Sequence, residues 1–247
     1  MTNTSTIQIA MWSGPRNIST AMMRSFENRS DCFVWDEPFY AAYLNATGLE
    51  HPMQEEIIAA GVTDWNQVKE KVTGPAPGGE PIFYQKHMSH HMIPGLDRDW
   101  IHGVTNCFLI RRPENVLASY AAKREEVTLR DIGFIEQAEI FDMVADRLGK
   151  APPVIDANDV LADPETLLSG LCTAFGFAFD PAMMTWPPGL RESDGVWASH
   201  WYNAVEKSTR FTPPRDDTAR SDLPSHLADI AEQATPAYEA LAKYRIK

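Results

Sequence analysis

The chain has 247 residues, 44% of them hydrophobic, enough to bury one substantial core. Its formal net charge of −12 argues against nucleic acid or an acidic membrane as the main partner, because both select extended basic surfaces. No apolar run approaches the length of a bilayer span, and Met1-Thr-Asn-Thr-Ser-Thr6 has neither a basic start nor an apolar signal core, so a cytoplasmic protein is expected.

In chain order, Ile7-Gln-Ile-Ala-Met-Trp12 reads as a strand, and Ile18, Ala21, Met22, Ser25 and Phe26 then recur with helical spacing. Between them lies Ser13-Gly-Pro-Arg-Asn-Ile-Ser-Thr20. A strand, a tight loop and a helix N-terminus make an anion site, because first-turn N–H groups lack intrahelical partners and the helix dipole is positive there. Arg16, Ser19 and Thr20 add side-chain donors. The Walker pattern requires Gly and Lys where this chain has Ser19 and Thr20, which counts against ordinary ATP or GTP chemistry. Ile18 is β-branched and cannot take a positive φ cheaply, so the loop is expected to run through ordinary helical or extended angles.

Residues 33–36 read as a second strand, followed by Asp36 and Glu37, and Thr73–Pro81 as a surface loop. A third strand, 82–86, leads into Lys86, His87, His90 and His91. A fourth, 106–111, ends at Arg111-Arg112, after which Pro113 opens a helix carrying Val116, Leu117, Ser119 and Tyr120. A fifth, 153–157, precedes a helix with Asp163 as N-cap, Pro164 as first residue and an apolar stripe of Leu167, Leu168, Leu171, Cys172 and Phe175. Gly195–Arg210 is rich in aromatics; Trp197, Trp201 and Tyr202 either stack on a ligand or pack a C-terminal lid. Thr235-Pro236 reads as the start of a last helix. The three cysteines, Cys32, Cys107 and Cys172, lack metal-ligand spacing and read as small core residues.

Short apolar strands alternating with helices predict an α/β fold with a central parallel sheet covered on both faces. Ligands collect at the C-terminal strand ends of such sheets, where the Arg16 loop, Glu37, the histidines and Arg111 all fall. One domain over 1–247 is expected, with 178–247 forming a lid and C-terminal helices, and with 40–80 and 178–210 as pocket walls.

Two of these stretches carry a family resemblance. Pro15-Arg-Asn-Ile-Ser-Thr20 resembles the 5′-phosphosulfate loop of sulfotransferases, P-[KR]-S-G-T-[TS], with Pro15, Arg16, Ser19 and Thr20 matching and Asn17 and Ile18 departing. Arg111, Pro113 and Ser119 match the family's 3′-phosphate motif, R-x-P-x-x-x-x-x-S. The stretch from Pro153 is similar to a later strand and helix entry, and Gly195–Arg210 is similar to the late G-x-W cofactor loop. The resemblance spans roughly Ile7 to Phe211.

It implies a three-layer fold like that of the P-loop nucleoside triphosphate hydrolases, and transfer of a sulfuryl group from 3′-phosphoadenylyl sulfate (PAPS) to a hydroxyl or amine, with no obligatory metal. Arg16 would neutralise the leaving 5′-phosphate. The loop from Pro15 through Asn17, Ile18, Ser19 and Thr20 would hold its oxygens, and Arg111 and Ser119 would read the 3′-phosphate. Glu37 resembles the glutamate that serves as base in heparan-type and trehalose-type bacterial sulfotransferases. His87 is the second candidate: it lies in a stretch similar to the K-T-H of cytosolic sulfotransferases, although aligning Lys86 with the family lysine puts Met88 at the base position. Lys86 touches the sulfonate or completes a strand end. His90 and His91 read as satisfied surface or pocket histidines. The implied partner is a small-molecule acceptor whose identity the residues do not declare, and a homodimer is left open. Two other functions stay open: a nucleotide-type kinase, and a catalytically silent nucleotide-binding module.

Overall fold

The computed structural model describes residues 6–122, 126–213 and 223–247. The opening residues 1–5, and residues 214–222 within the expected lid, lie outside the described residues. Five strands form one parallel sheet: β1 (Ile7–Ser13), β2 (Cys32–Asp36), β3 (Ile82–Met88), β4 (Thr105–Ile110) and β5 (Val154–Asp156), in the order β2-β3-β1-β4-β5. Each coincides with an expected strand to within a few residues at its ends.

Helix α1 (Ser19–Glu27) follows β1, and α2 (Tyr40–Thr47), α3 (Gln54–Ala60) and α4 (Trp65–Thr73) lie between β2 and β3. Helices α5 (Pro113–Ala121) and α6 (Phe134–Leu148) connect β4 to β5. Beyond β5 come α7 (Ala157–Ala162), α8 (Pro164–Phe175), α9 (Ala198–Trp201) and α10 (Ser225–Ala242). None of the described helices is long and apolar enough to cross a membrane.

The period-2 alternation of the strands divides the core into two halves. Ile9, Met11, Cys107, Leu109 and Ile155 pack under α1, α7 and α8, whereas Ala10, Trp12, Phe108, Ile110 and Val154 pack under α4, α5, α6 and α10. The result is three layers, a sheet with helices packed on both faces. Asp163 accepts from Thr166 N at 3.2 Å and Pro164 is the first residue of α8, whose Leu167, Leu168, Leu171, Cys172 and Phe175 are buried as expected. All three cysteines are free, Cys107 and Cys172 buried and Cys32 half-buried.

One expected boundary is wrong. Thr235-Pro236 does not start a helix; Pro236 sits inside α10. Proline removes one ladder hydrogen bond and crowds the carbonyl a turn earlier. The helix continues because Leu227, Ala231, Ala234, Tyr238 and Leu241 form one buried face against α5 and α6. Thr235 Oγ1 also donates to Ala231 O at 2.8 Å.

Candidate active site

The loop after β1 is shaped by a close approach. A Cβ on Gly14 would stand 2.3 Å from the backbone oxygen of Ile132, so only glycine fits there. The following residues overturn the expectation of ordinary angles: Arg16 has φ +61° and Ile18 has φ +56°. Left-handed backbone at a β-branched residue costs on the order of 1–2 kcal/mol, so the surroundings must impose it. Ile18 packs against the α1 side of the core, and buried Asn17 donates from Nδ2 to Leu109 O at 3.3 Å. Left-handed residues on either side of Asn17 give the alternation in which successive N–H groups converge on an anion. No side chain caps the N-terminus of α1.

Parallel pairing of β1 with β4 brings the second motif alongside the first. Arg16 Nε donates to Ser119 Oγ at 3.0 Å, and Arg111 Nη1 donates to Arg16 O at 2.6 Å. Arg16 Nη1 also reaches Trp201 O at 3.4 Å. Burial lowers the Arg16 pKa, with Tyr120 opposing, and among the described residues no carboxylate pairs with the guanidinium. A cation so placed favours an incoming anion.

At the ends of β2 and β3 the charges are already matched. Lys86 Nζ donates to Asp36 Oδ1 at 2.7 Å, Glu37 Oε1 at 2.8 Å and Tyr202 OH at 2.5 Å. Burial opposes the Lys86 charge, but Asp36 and Glu37 outweigh it and hold the ammonium well above the usual lysine range. Burial, opposed by Lys86 and aided by Asp36, raises the Glu37 carboxyl. Burial and then Asp36 push the Tyr202 phenol well above its ordinary range, so it stays protonated and donates to Asp36 Oδ2 at 2.6 Å.

The histidines separate. His87 does not reach the site: successive strand residues point to opposite faces, and with Lys86 and Met88 on the cavity side His87 must lie on the other. There it stacks on Trp12 at 4.6 Å and meets Gln85 Oε1 at 3.0 Å, and burial pushes its pKa down to about 3. This corrects its place as second candidate base. His90 and His91 are both buried pocket residues. His91 is stacked between Tyr40 and Tyr43, with Nε2 4.0 Å from Glu37 Oε2, and burial, then His90, keep it well below the usual histidine range and so neutral.

These side chains share one cavity of about 300 Å³. Its lining includes Pro15 through Thr20, Glu37, Lys86, Arg111 and Ser119, every site residue expected from sequence except His87. Tyr40 and His51 from the first expected wall, and Trp201, Tyr202 and Arg210 from the second, also line it. Trp197 is buried behind this surface, donating from Nε1 to Tyr202 OH at 3.1 Å. Sequence reasoning passed over Asp36 and Tyr202 as partners of Lys86; Tyr202 lies 116 residues away, and no local pattern signals that contact. Guanidinium, hydroxyl and N–H donors suit phosphate oxygens, and among the described residues no three His, Cys, Asp or Glu side chains gather as a metal site requires.

A family model described as a sulfotransferase domain matches residues 7–245. Two Arabidopsis thaliana proteins, named branched-chain-amino-acid aminotransferase-like protein 1 and protein 2, are 35% and 34% identical over 96% and 94% of this chain. The chain spans only 42% and 41% of their lengths, so those names describe much larger proteins. Among solved structures, the sulfotransferase domain from the curacin biosynthetic pathway has a TM-score of 0.55 at 17% identity, covering 93% of this chain and 98% of its own. The sulfotransferase from Alicyclobacillus acidocaldarius has a TM-score of 0.55 at 11% identity, covering 98% of each chain. At such identities the likeness is one of fold, and it agrees with the three-layer parallel α/β architecture described above.

Proposed function

The chain belongs to the sulfotransferase family, and from that premise we propose that it moves a sulfuryl group from 3′-phosphoadenylyl sulfate to a hydroxyl or amine of a small-molecule acceptor. The observation that carries this reading is the convergence of Arg16, Arg111 and Ser119 at the mouths of two neighbouring helices, in one cavity with Glu37. A donor with phosphates at both the 5′ and 3′ positions needs two such points of attachment, and ATP does not.

In this scheme the N–H groups of the loop from Pro15 to Thr20, with Ser19 and Thr20, hold the 5′-phosphate. Arg111 and Ser119 hold the 3′-phosphate. As the acceptor oxygen bonds to sulfur, the bond from sulfur to the 5′-phosphate oxygen breaks, and Arg16 stands where that oxygen gains charge. Glu37 Oε2 takes the acceptor's proton; Lys86 holds its other oxygen, and the raised carboxyl is a better base than an exposed one. The same reading makes the protein a cytoplasmic enzyme acting as one domain, with Trp201, Tyr202 and Arg210 of the expected lid on the cavity wall.

Calorimetric titration with adenosine 3′,5′-bisphosphate, ATP and AMP tests it. The bisphosphate is expected to bind tightest, and preference for ATP overturns the reading. Tight bisphosphate binding with no turnover of 3′-phosphoadenylyl sulfate on a panel of phenols, sugars, sterols and amines would make the protein a silent nucleotide-binding module.

A further inference from the structure

We infer that Tyr202 and Asp36 are positioning residues, holding Lys86 so that it restrains one oxygen of Glu37 and leaves Oε2 for the acceptor's proton. This rests on the reading of Glu37 as base. An ammonium has three protons, and those of Lys86 are taken by Asp36 Oδ1, Glu37 Oε1 and Tyr202 OH. None remains for a sulfonate, so the lysine acts through the glutamate. Both Lys86 and Asp36 side chains are 1% exposed, so each depends on these protein partners.

Tyr202 completes this set from far along the chain. Its hydroxyl accepts from Lys86 and from Trp197 Nε1 and donates to Asp36 Oδ2, which also accepts from Gly195 N at 3.2 Å. Its neighbour Trp201 lines the cavity and accepts from Arg16 through its carbonyl. The dipeptide Trp201-Tyr202 therefore touches the phosphate end and the base end of the cavity together, so docking of this segment onto β2 and β3 assembles both. Without the Tyr202 hydroxyl, the third ammonium proton is left buried and unpaired. The acceptor it then turns to is Glu37 Oε2, on the carboxylate it already holds, and the base is occupied.

The experiment uses Tyr202→Phe and Asp36→Asn in the whole chain, each alone and with Glu37→Gln. Release of adenosine 3′,5′-bisphosphate from 3′-phosphoadenylyl sulfate is measured with water and with 2-naphthol as acceptors, and adenosine 3′,5′-bisphosphate affinity by calorimetry. Expected for Tyr202→Phe are a kcat loss of about ten-fold, bisphosphate affinity within about two-fold of wild type, and no further loss in the Glu37→Gln background. Wild-type kcat in a folded Tyr202→Phe protein overturns the inference, as does an equal loss in the Glu37→Gln background or a collapse of bisphosphate binding. If Tyr202→Phe does not fold, Asp36→Asn is held to the same criteria. Full activity of Glu37→Gln, or a wild type with no turnover, overturns the base reading along with this one. An inactive Glu37→Gln beside a fully active Tyr202→Phe overturns this inference alone.

Discussion

Arg111 donates from Nη1 to the carbonyl oxygen of Arg16 at 2.6 Å, across 95 residues of sequence. The contact joins the loops after β1 and β4 through a backbone atom, and the Arg111 guanidinium also lines the cavity, where the proposed function gives it the 3′-phosphate. Arg111→Ala is therefore expected to weaken adenosine 3′,5′-bisphosphate by about 10–100-fold, the value of a charge-assisted hydrogen bond, and AMP far less. Calorimetry with both ligands decides it; equal losses would show that Arg111 does not read the 3′-phosphate.

Glu37→Gln removes the proposed proton acceptor and keeps the side chain's shape. Turnover should fall by about 10²–10⁴-fold while bisphosphate affinity is retained. Because the Glu37 pKa is raised, wild-type activity should decline with falling pH from a point above the ordinary carboxylate range, where the base becomes protonated. An acid limb at or below that range would count against Glu37.

His87 makes a prediction about stability. In the folded chain burial holds its pKa at about 3, while the unfolded chain titrates near the ordinary histidine value of about 6.5. Between those values the unfolded state binds more protons, so stability is complete above the upper value and is lost as pH falls toward the lower. The limiting slope is about 1.4 kcal/mol per pH unit. Denaturant midpoints measured against pH should fall less steeply for His87→Gln than for wild type; parallel curves would show that His87 is not buried neutral.

Gly14→Ala puts a methyl group against the Ile132 carbonyl, a backbone atom that cannot swing aside. A loss of about 1–3 kcal/mol in stability is expected, with weakened bisphosphate binding because the loop must shift. Thermal unfolding and calorimetry check the two effects separately, and an unchanged protein would mean that the loop does not pack on Ile132.

Much of the site was legible because its signals are local. Strand periodicity placed all five strands, Asp163-Pro164 carried a cap and a helix start within two residues, and Arg16 and Arg111 each followed an apolar run at the strand end where ligands gather. The errors arose where packing overrode local preference. Ile18 is held left-handed by its surroundings, and Pro236 is carried through α10 by a buried face.

By itself, the amino-acid order determined the βα alternation, the arginine that follows each of two strands and the adjacency of Lys86 and His87, which obliges them to face opposite ways. Only the tertiary structure decided which face meets the cavity. It also brought Asp36 and Tyr202, 50 and 116 residues from Lys86, onto one ammonium. The physical reason is one of range: dihedral preference, capping and side-chain period act over a few residues and leave a pattern in the chain. A buried ion and its partners are matched by charge and distance, whatever their separation along it.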